Sequence, residues 1–140
     1  MMYLQESFLV RKLYNFSTNG RKTERKLKKY YPALLLDKGF EHDDLSRSRV
    51  FEWLMVNQLK AEYFWRDSYK HEVDVVIADE KVVPIEINAG KIETKGLVTF
   101  MEKFGVDKGY IVTPDREERL EMKGKLIEVG RGFKFLMQQP

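Results

Sequence analysis

Three carboxylates sit where an acid is costly. Glu52 is flanked by Phe51, Trp53 and Leu54; Asp74 lies inside Val73-Asp74-Val75-Val76-Ile77; Glu86 lies inside Val82-Val83-Pro84-Ile85-Glu86-Ile87. An ionised carboxylate in an apolar run is expensive unless it is paired, hydrogen-bonded or bound to a metal. Asp74 and Glu86 stand twelve residues apart on runs joined by a tight connection at Asp79-Glu80, so they are expected to be neighbours in space. Adjacent carboxylates repel each other. A hard divalent cation, Mg²⁺ or Mn²⁺, relieves the repulsion, because it takes oxygen ligands and keeps several waters. Such a site suits phosphodiester hydrolysis, where the metal polarises the phosphate and lowers the pKa of an attacking water. The competing reading places both acids at strand ends, in ion pairs with Arg66, Lys70 or Lys81. Glu72 shares the face of Asp74 by strand alternation; it is either a supporting acid for that site or the solvated start of the strand.

The elements that must position these acids follow from hydrophobic spacing. Phe8–Ser17 reads as a strand, and Asn19-Gly20 supplies the positive φ of a tight turn. Lys29–Leu36 reads as a second strand that Pro32 confines to an edge. Asp43 or Asp44 caps a helix carrying Leu45, Val50, Phe51, Leu54, Met55 and Leu59 at helical spacings. Strand-like runs follow at Ala61–Arg66, Glu72–Ala78 and Lys81–Asn88. Leu97, Phe100, Met101 and Phe104 mark a helix ended by Gly105, and Gly109–Thr113 is a short apolar strand closed by Pro114. Lys125–Val129 and Phe133–Met137 are short strands or a terminal helical turn. Trp53, Phe64, Trp65, Phe100 and Phe104 read as core aromatics, and His71 as a surface residue beside the site. The order, α-β-β-β-α-β behind an N-terminal hairpin, points to an α/β sandwich with helices on both faces of a central sheet. We expect a single domain over residues 1–140, with a hairpin and basic extension at 1–40 and the core from 41 to 115, continuing to 140.

Composition excludes several chemistries. The 140 residues contain no cysteine and two histidines, His42 and His71, which rules out disulfides, thiolate nucleophiles, cysteine-based metal centres and three-histidine sites. No apolar run approaches the roughly 18 residues that span a bilayer, and no secretory signal opens the chain. A soluble, cytoplasmic domain is the expectation. Abundant Lys and Glu, with few Asn and Gln, fit a thermophilic source.

Charge is unevenly placed. Between Arg11 and Lys29 there are eight Lys or Arg and one acid, Glu24, giving +7 over 19 residues. Arg21, Lys22, Arg25, Lys26, Lys28 and Lys29 are therefore candidate contacts to an anionic partner, DNA first. A solvated loop and helix face is the alternative.

The ordered set of a helix acid, a strand Asp, a hairpin and a strand Glu is more specific than any one motif. The matching stretches are Arg49-Val50-Phe51-Glu52-Trp53, Tyr63-Phe64-Trp65-Arg66, His71-Glu72-Val73-Asp74-Val75-Val76 and Val83-Pro84-Ile85-Glu86-Ile87-Asn88, with Lys95-Gly96-Leu97 and Lys108–Thr113 behind them. Together they resemble the restriction-endonuclease-like, or PD-(D/E)XK, nuclease fold. More closely, residues 3 to 113 resemble the C-terminal domain of archaeal and bacterial AAA+-type ATPases. The resemblance implies a mixed central sheet flanked by helices. It also implies that Asp74 and Glu86 hold Mg²⁺ or Mn²⁺ with help from the main-chain carbonyl of Ile87, while Glu52 acts through water or a second metal.

Two departures from that pattern matter. Asn88 stands where an active nuclease of the fold carries lysine, and loss of one such electrostatic contact commonly costs on the order of 100-fold in rate. Lys91, three residues on, is the first candidate to replace it, ahead of Lys70 and Lys95; the alternative is an inactive site. The chain also lacks the P-loop Gly-x-x-x-x-Gly-Lys-Ser/Thr, so it should not hydrolyse ATP alone. An excised domain, a truncated gene product and a stand-alone relative are the alternatives, and the partner the resemblance implies is a separate ATPase or an N-terminal ATPase domain. Three readings stand: a Mg²⁺-dependent deoxyribonuclease, a catalytically degenerate DNA- or protein-docking module, and a homodimerisation domain pairing through the edge strand near Tyr30–Leu36.

Overall fold

The computed structural model describes residues 10–19, 27–32 and 44–138, without the side chains of residues 44–46. The elements in chain order are β1 (Val10–Asn15), β2 (Lys28–Pro32), α1 (Asp44–Gln58), β3 (Tyr63–Arg66), β4 (Glu72–Ala78) and β5 (Val82–Ile87). They continue with α2 (Lys95–Phe104), β6 (Lys108–Thr113), β7 (Glu118–Met122), β8 (Lys125–Arg131) and α3 (Gly132–Met137). The described strands form a mixed eight-stranded sheet in the order β2-β1-β3-β4-β5-β6-β8-β7. From α1 to β6 the expected α-β-β-β-α-β order is present. Pro32 closes β2 at the sheet edge, where its missing N–H costs no ladder bond.

Each face of the sheet is covered by what its strands and helices leave apolar. On one side α2 buries Leu97, Val98, Phe100 and Met101 against Phe16, Trp65, Val73, Val76, Ile111, Ile127 and Val129. The Trp65 and Phe100 rings meet edge to face, 5.4 Å apart, and Gly105 ends the helix at φ 66°. On the other side α1 contributes Met55, Val56 and Leu59, which pack with Leu13, Phe64, Val75, Ile85, Ile87 and Val112; Phe135 and Leu136 of α3 close that core. Burial of each such side chain contributes roughly 1.5–3 kcal/mol.

Two features, β7 and Trp53, differ from the sequence expectation, and the open choice at Phe133–Met137 falls to the helix. The stretch β7 was not anticipated: Glu118-Arg119-Leu120-Glu121-Met122 is mostly charged because it is a solvated edge strand, paired antiparallel to β8. Its two-residue turn, Lys123 at φ 50° and Gly124 at φ 72°, has the left-handed pair that hairpins favour. Phe133–Met137 is helical. Trp53 is half-buried rather than a core aromatic, and its indole N–H donates to the carbonyl of Pro32. Residues 20, 33–36 and 43 of the expected turn, second strand and helix cap lie outside the described residues. Among the described residues no helix is long and apolar enough to cross a membrane.

Candidate functional site

A bulge in β4 places the first acid. Tyr63 pairs with Val76 and Trp65 with Val73, so two steps along β3 match three along β4, and the extra residue falls at Asp74-Val75. Val73 packs on the α2 side and Val75 on the α1 side. The bulge therefore turns Asp74 and Val75 to the same face, toward α1, where strict alternation would have separated them.

The second acid sits where the next ladder stops. β4 and β5 pair from Ala78–Val82 to Val75–Ile85 and no further. Beyond that point the main-chain N–H of Ile87 donates to Asp74 Oδ2 at 2.8 Å. The N–H of Asp74 in turn favours the ionised Glu86. Two strands that would have bonded backbone to backbone are thus held by carboxylates. Glu86 Oε2 is buried and has no hydrogen-bond partner. Burial, first, and the mutual repulsion of acids, second, push both groups up: Asp74 to about 7, with Glu52 the leading charge acting on it, and Glu86 to about 9, with Asp74 the leading charge.

Neighbouring groups partly offset this negative charge. Lys29 of β2 pairs with Glu72, and its ammonium favours the ionised forms of both Asp74 and Glu86. Arg66 Nε sits 2.9 Å from the other oxygen of Glu72. Arg66 is held in turn by Asn15, whose amide bonds both its N–H and its carbonyl at 3.0 Å. Glu52 lies on the sheet-facing side of α1, four residues before buried Val56, and accepts the Tyr31 hydroxyl at 2.6 Å. Burial and the charge of Glu52 hold the Tyr31 phenol protonated well past its ordinary range.

The sequence candidates thus separate into groups. Asp74 and Glu86 come together, and Glu52 bears on Asp74 from α1. Arg66 pairs with Glu72 instead of either central acid, so Glu72 is a fixed ion-pair partner. His71 pairs with Asp67 at 2.7 Å. Asn88 is engaged by its own loop, its Oδ1 accepting the Gly90 N–H at 2.9 Å and its amide donating to the Lys91 carbonyl; Lys91 is exposed. Lys28 and Lys29 leave β2 on opposite faces. Arg21, Lys22, Arg25 and Lys26 lie outside the described residues. Sequence reasoning missed Tyr31 and Asn15 as site residues, and it gave Lys29 only a nucleic-acid role. The one sequence signal for them was an aromatic and a lysine two apart on a predicted edge strand.

The donor set fits a hard cation in chemistry: two adjacent carboxylates, one with an orphaned buried oxygen, and both resisting ionisation. Among the described residues no group of three or more Asp, Glu or His side chains stands within metal-sharing distance. Mg²⁺ is commonly held by one or two carboxylates with several waters retained.

No curated protein and no solved structure matches the chain. A sequence family does match residues 48–130, a span that holds all three acids and more than half of the chain. The chain belongs to that family, described as a domain of unknown function, DUF4143.

Proposed function

We propose that this chain is a restriction-endonuclease-like domain that binds DNA and holds Mg²⁺ or Mn²⁺ at Asp74 and Glu86 for phosphodiester cleavage. The observation that carries the reading is the carboxylate pair at the bulged, diverging ends of β4 and β5, with Glu86 Oε2 buried and unpartnered. A polar atom in that condition asks for a partner. When bound, the metal supplies Lewis-acid polarisation of a phosphate oxygen and a more acidic water. The chain's own residues do the rest. The Ile87 N–H orients Asp74, Tyr31 fixes Glu52 on the side facing Asp74, and Lys29 brings positive charge to the place where phosphate charge builds up. Lys29 is better placed than Lys91 to stand in for the lysine missing at Asn88, because its charge already reaches both acids.

A second reading is favoured by one observation. Both polar ends of the Asn88 amide are occupied by its own loop, as befits a residue kept for structure. The family is found in ATPase-associated proteins, which suits a degenerate domain serving as a DNA- or protein-docking module.

Calorimetric titration of Mg²⁺ and Mn²⁺ separates the two. The nuclease reading expects binding by the wild type that disappears in Asp74→Ala with Glu86→Ala, followed by metal-dependent nicking of DNA. Absence of binding in the wild type leaves the docking module as the function.

A further inference from the structure

The strand that delivers Lys29 to the acids presents a different surface behind it. On β1, Leu13 is buried on the α1 side, so Lys12 and Tyr14 face the other way. On β2, Tyr31 packs toward α1, so Lys28 and Tyr30 face the other way too. Register sets these four side chains in a chequerboard: Lys12 lies opposite Tyr30, and Tyr14 opposite Lys28. The Lys12 ammonium stands 4.9 Å from the Tyr14 ring centroid and that of Lys28 stands 5.9 Å away. Tyr63 of β3 lies beside Tyr14 and extends the row inward. Lys103, on the last turn of α2, adds a cation 5.7 Å from the Trp65 ring where the helix begins to cover the sheet. Tyr30 is 42% exposed.

We infer that this face of β1 and β2 binds single-stranded nucleic acid, with bases stacking on Tyr14 and Tyr30 and phosphates held by Lys12 and Lys28. Charge complementarity is one-sided: Lys12 and Lys28 are the cations that β1 and β2 put on this face, and neither strand nor β3 carries a carboxylate. Alternation of aromatic rings with ammonium groups is what an unpaired strand needs, because each nucleotide offers one π face and one negative charge. A duplex hides its base faces in its own stack and leaves the rings without a role. An acidic peptide uses the lysines alone. The inference rests on the nucleic-acid half of the proposed function and is independent of the metal site.

The test is fluorescence anisotropy in EDTA with a labelled oligothymidylate, an oligouridylate and a duplex of the same length, on the folded chain. Wild type is expected to prefer the single strands. Tyr30→Ala, at an exposed ring, should weaken them roughly tenfold. Lys12→Gln with Lys28→Gln should lower the slope of log affinity against log salt by about 1.4, at about 0.7 per phosphate contact. Single-strand binding that is unchanged in both the Tyr30 and the double lysine variants overturns the inference and leaves DNA binding to another surface. Preference for the duplex also overturns it. No binding of any of the three probes at low salt removes the nucleic-acid half of the proposed function as well, while leaving the metal titration free to succeed.

Discussion

Asp74 and Ile87 face each other across a gap in the sheet, the Ile87 N–H donating to the Asp74 carboxylate at 2.8 Å beyond Val75–Ile85, the last β4–β5 backbone pair. A side chain thereby does the work of a main-chain acceptor. One of its oxygens is committed to holding the strands.

That arrangement gives the domain a pH dependence opposite to the usual carboxylate case. Asp74 and Glu86 have folded pKa values raised by burial, to about 7 and about 9, so the folded protein keeps protons that the unfolded chain has released. Stability from those protons is complete below the ordinary carboxylate range of about 4. It is lost as pH rises through about 7 for Asp74 and then about 9 for Glu86. Thermal melts in EDTA should show Tm falling on that rise, with the slope flattened in Asp74→Asn, Glu86→Gln. An equal slope in the variant contradicts the buried pair.

On the nuclease reading proposed above, Lys29→Met separates metal binding from chemistry. Removing a cation from beside the acids should tighten Mg²⁺ binding while slowing cleavage by on the order of 100-fold. Lys91→Ala, at an exposed loop residue, should change neither. The opposite pattern, a slow Lys91 variant and a normal Lys29 variant, returns the role to Lys91.

Gly96 stands where α2 meets β4. A Cβ there would lie 2.2 Å from the Glu72 carbonyl oxygen, a backbone atom that cannot swing aside. Gly96→Ala should therefore cost about 1–3 kcal/mol in denaturant unfolding. Gly90→Ala, with nothing within 4 Å, is the neutral control.

Tyr31→Phe leaves Glu52 without its hydroxyl donor. A hydrogen bond to a charged group contributes about 1.5–3 kcal/mol, and urea unfolding should register a loss in that range. Since the donor is on β2 and the acceptor on α1, the loss reports the docking of the N-terminal hairpin.

The elements legible in the sequence were those that carry their own periodicity. Glu72–Ala78 was bounded to the residue, and the helix ending at Gly105 came from Leu97, Phe100, Met101 and Phe104 with a left-handed stop. The acids were legible because a charge inside an apolar strand conflicts with its surroundings. What stayed hidden depends on long-range register. The bulge at Asp74-Val75 leaves no mark in a run of valines, since both faces of β4 are buried. Lys29 and Tyr31 read as ordinary edge-strand residues until β1 carries them beside β3. Asn15 read as one more residue of the Phe8–Ser17 strand, yet its side chain is buried and extends the β1–β3 contact. The strand β7 was lost because a solvated edge keeps no apolar stripe.

The hairpin of β1 and β2 joins the rest of the sheet through a short parallel seam, Tyr14–Tyr63 and Asn15–Phe64, extended by the Asn15 amide. Such a seam opens at a lower free energy than the central strands. In native-state hydrogen exchange the amides of β2 should exchange by a local opening, while those of β4, β5 and β6 wait for global unfolding. An opening of that kind would carry Lys29 off with β2 and leave Asp74 and Glu86 without the cation that favours their ionised forms.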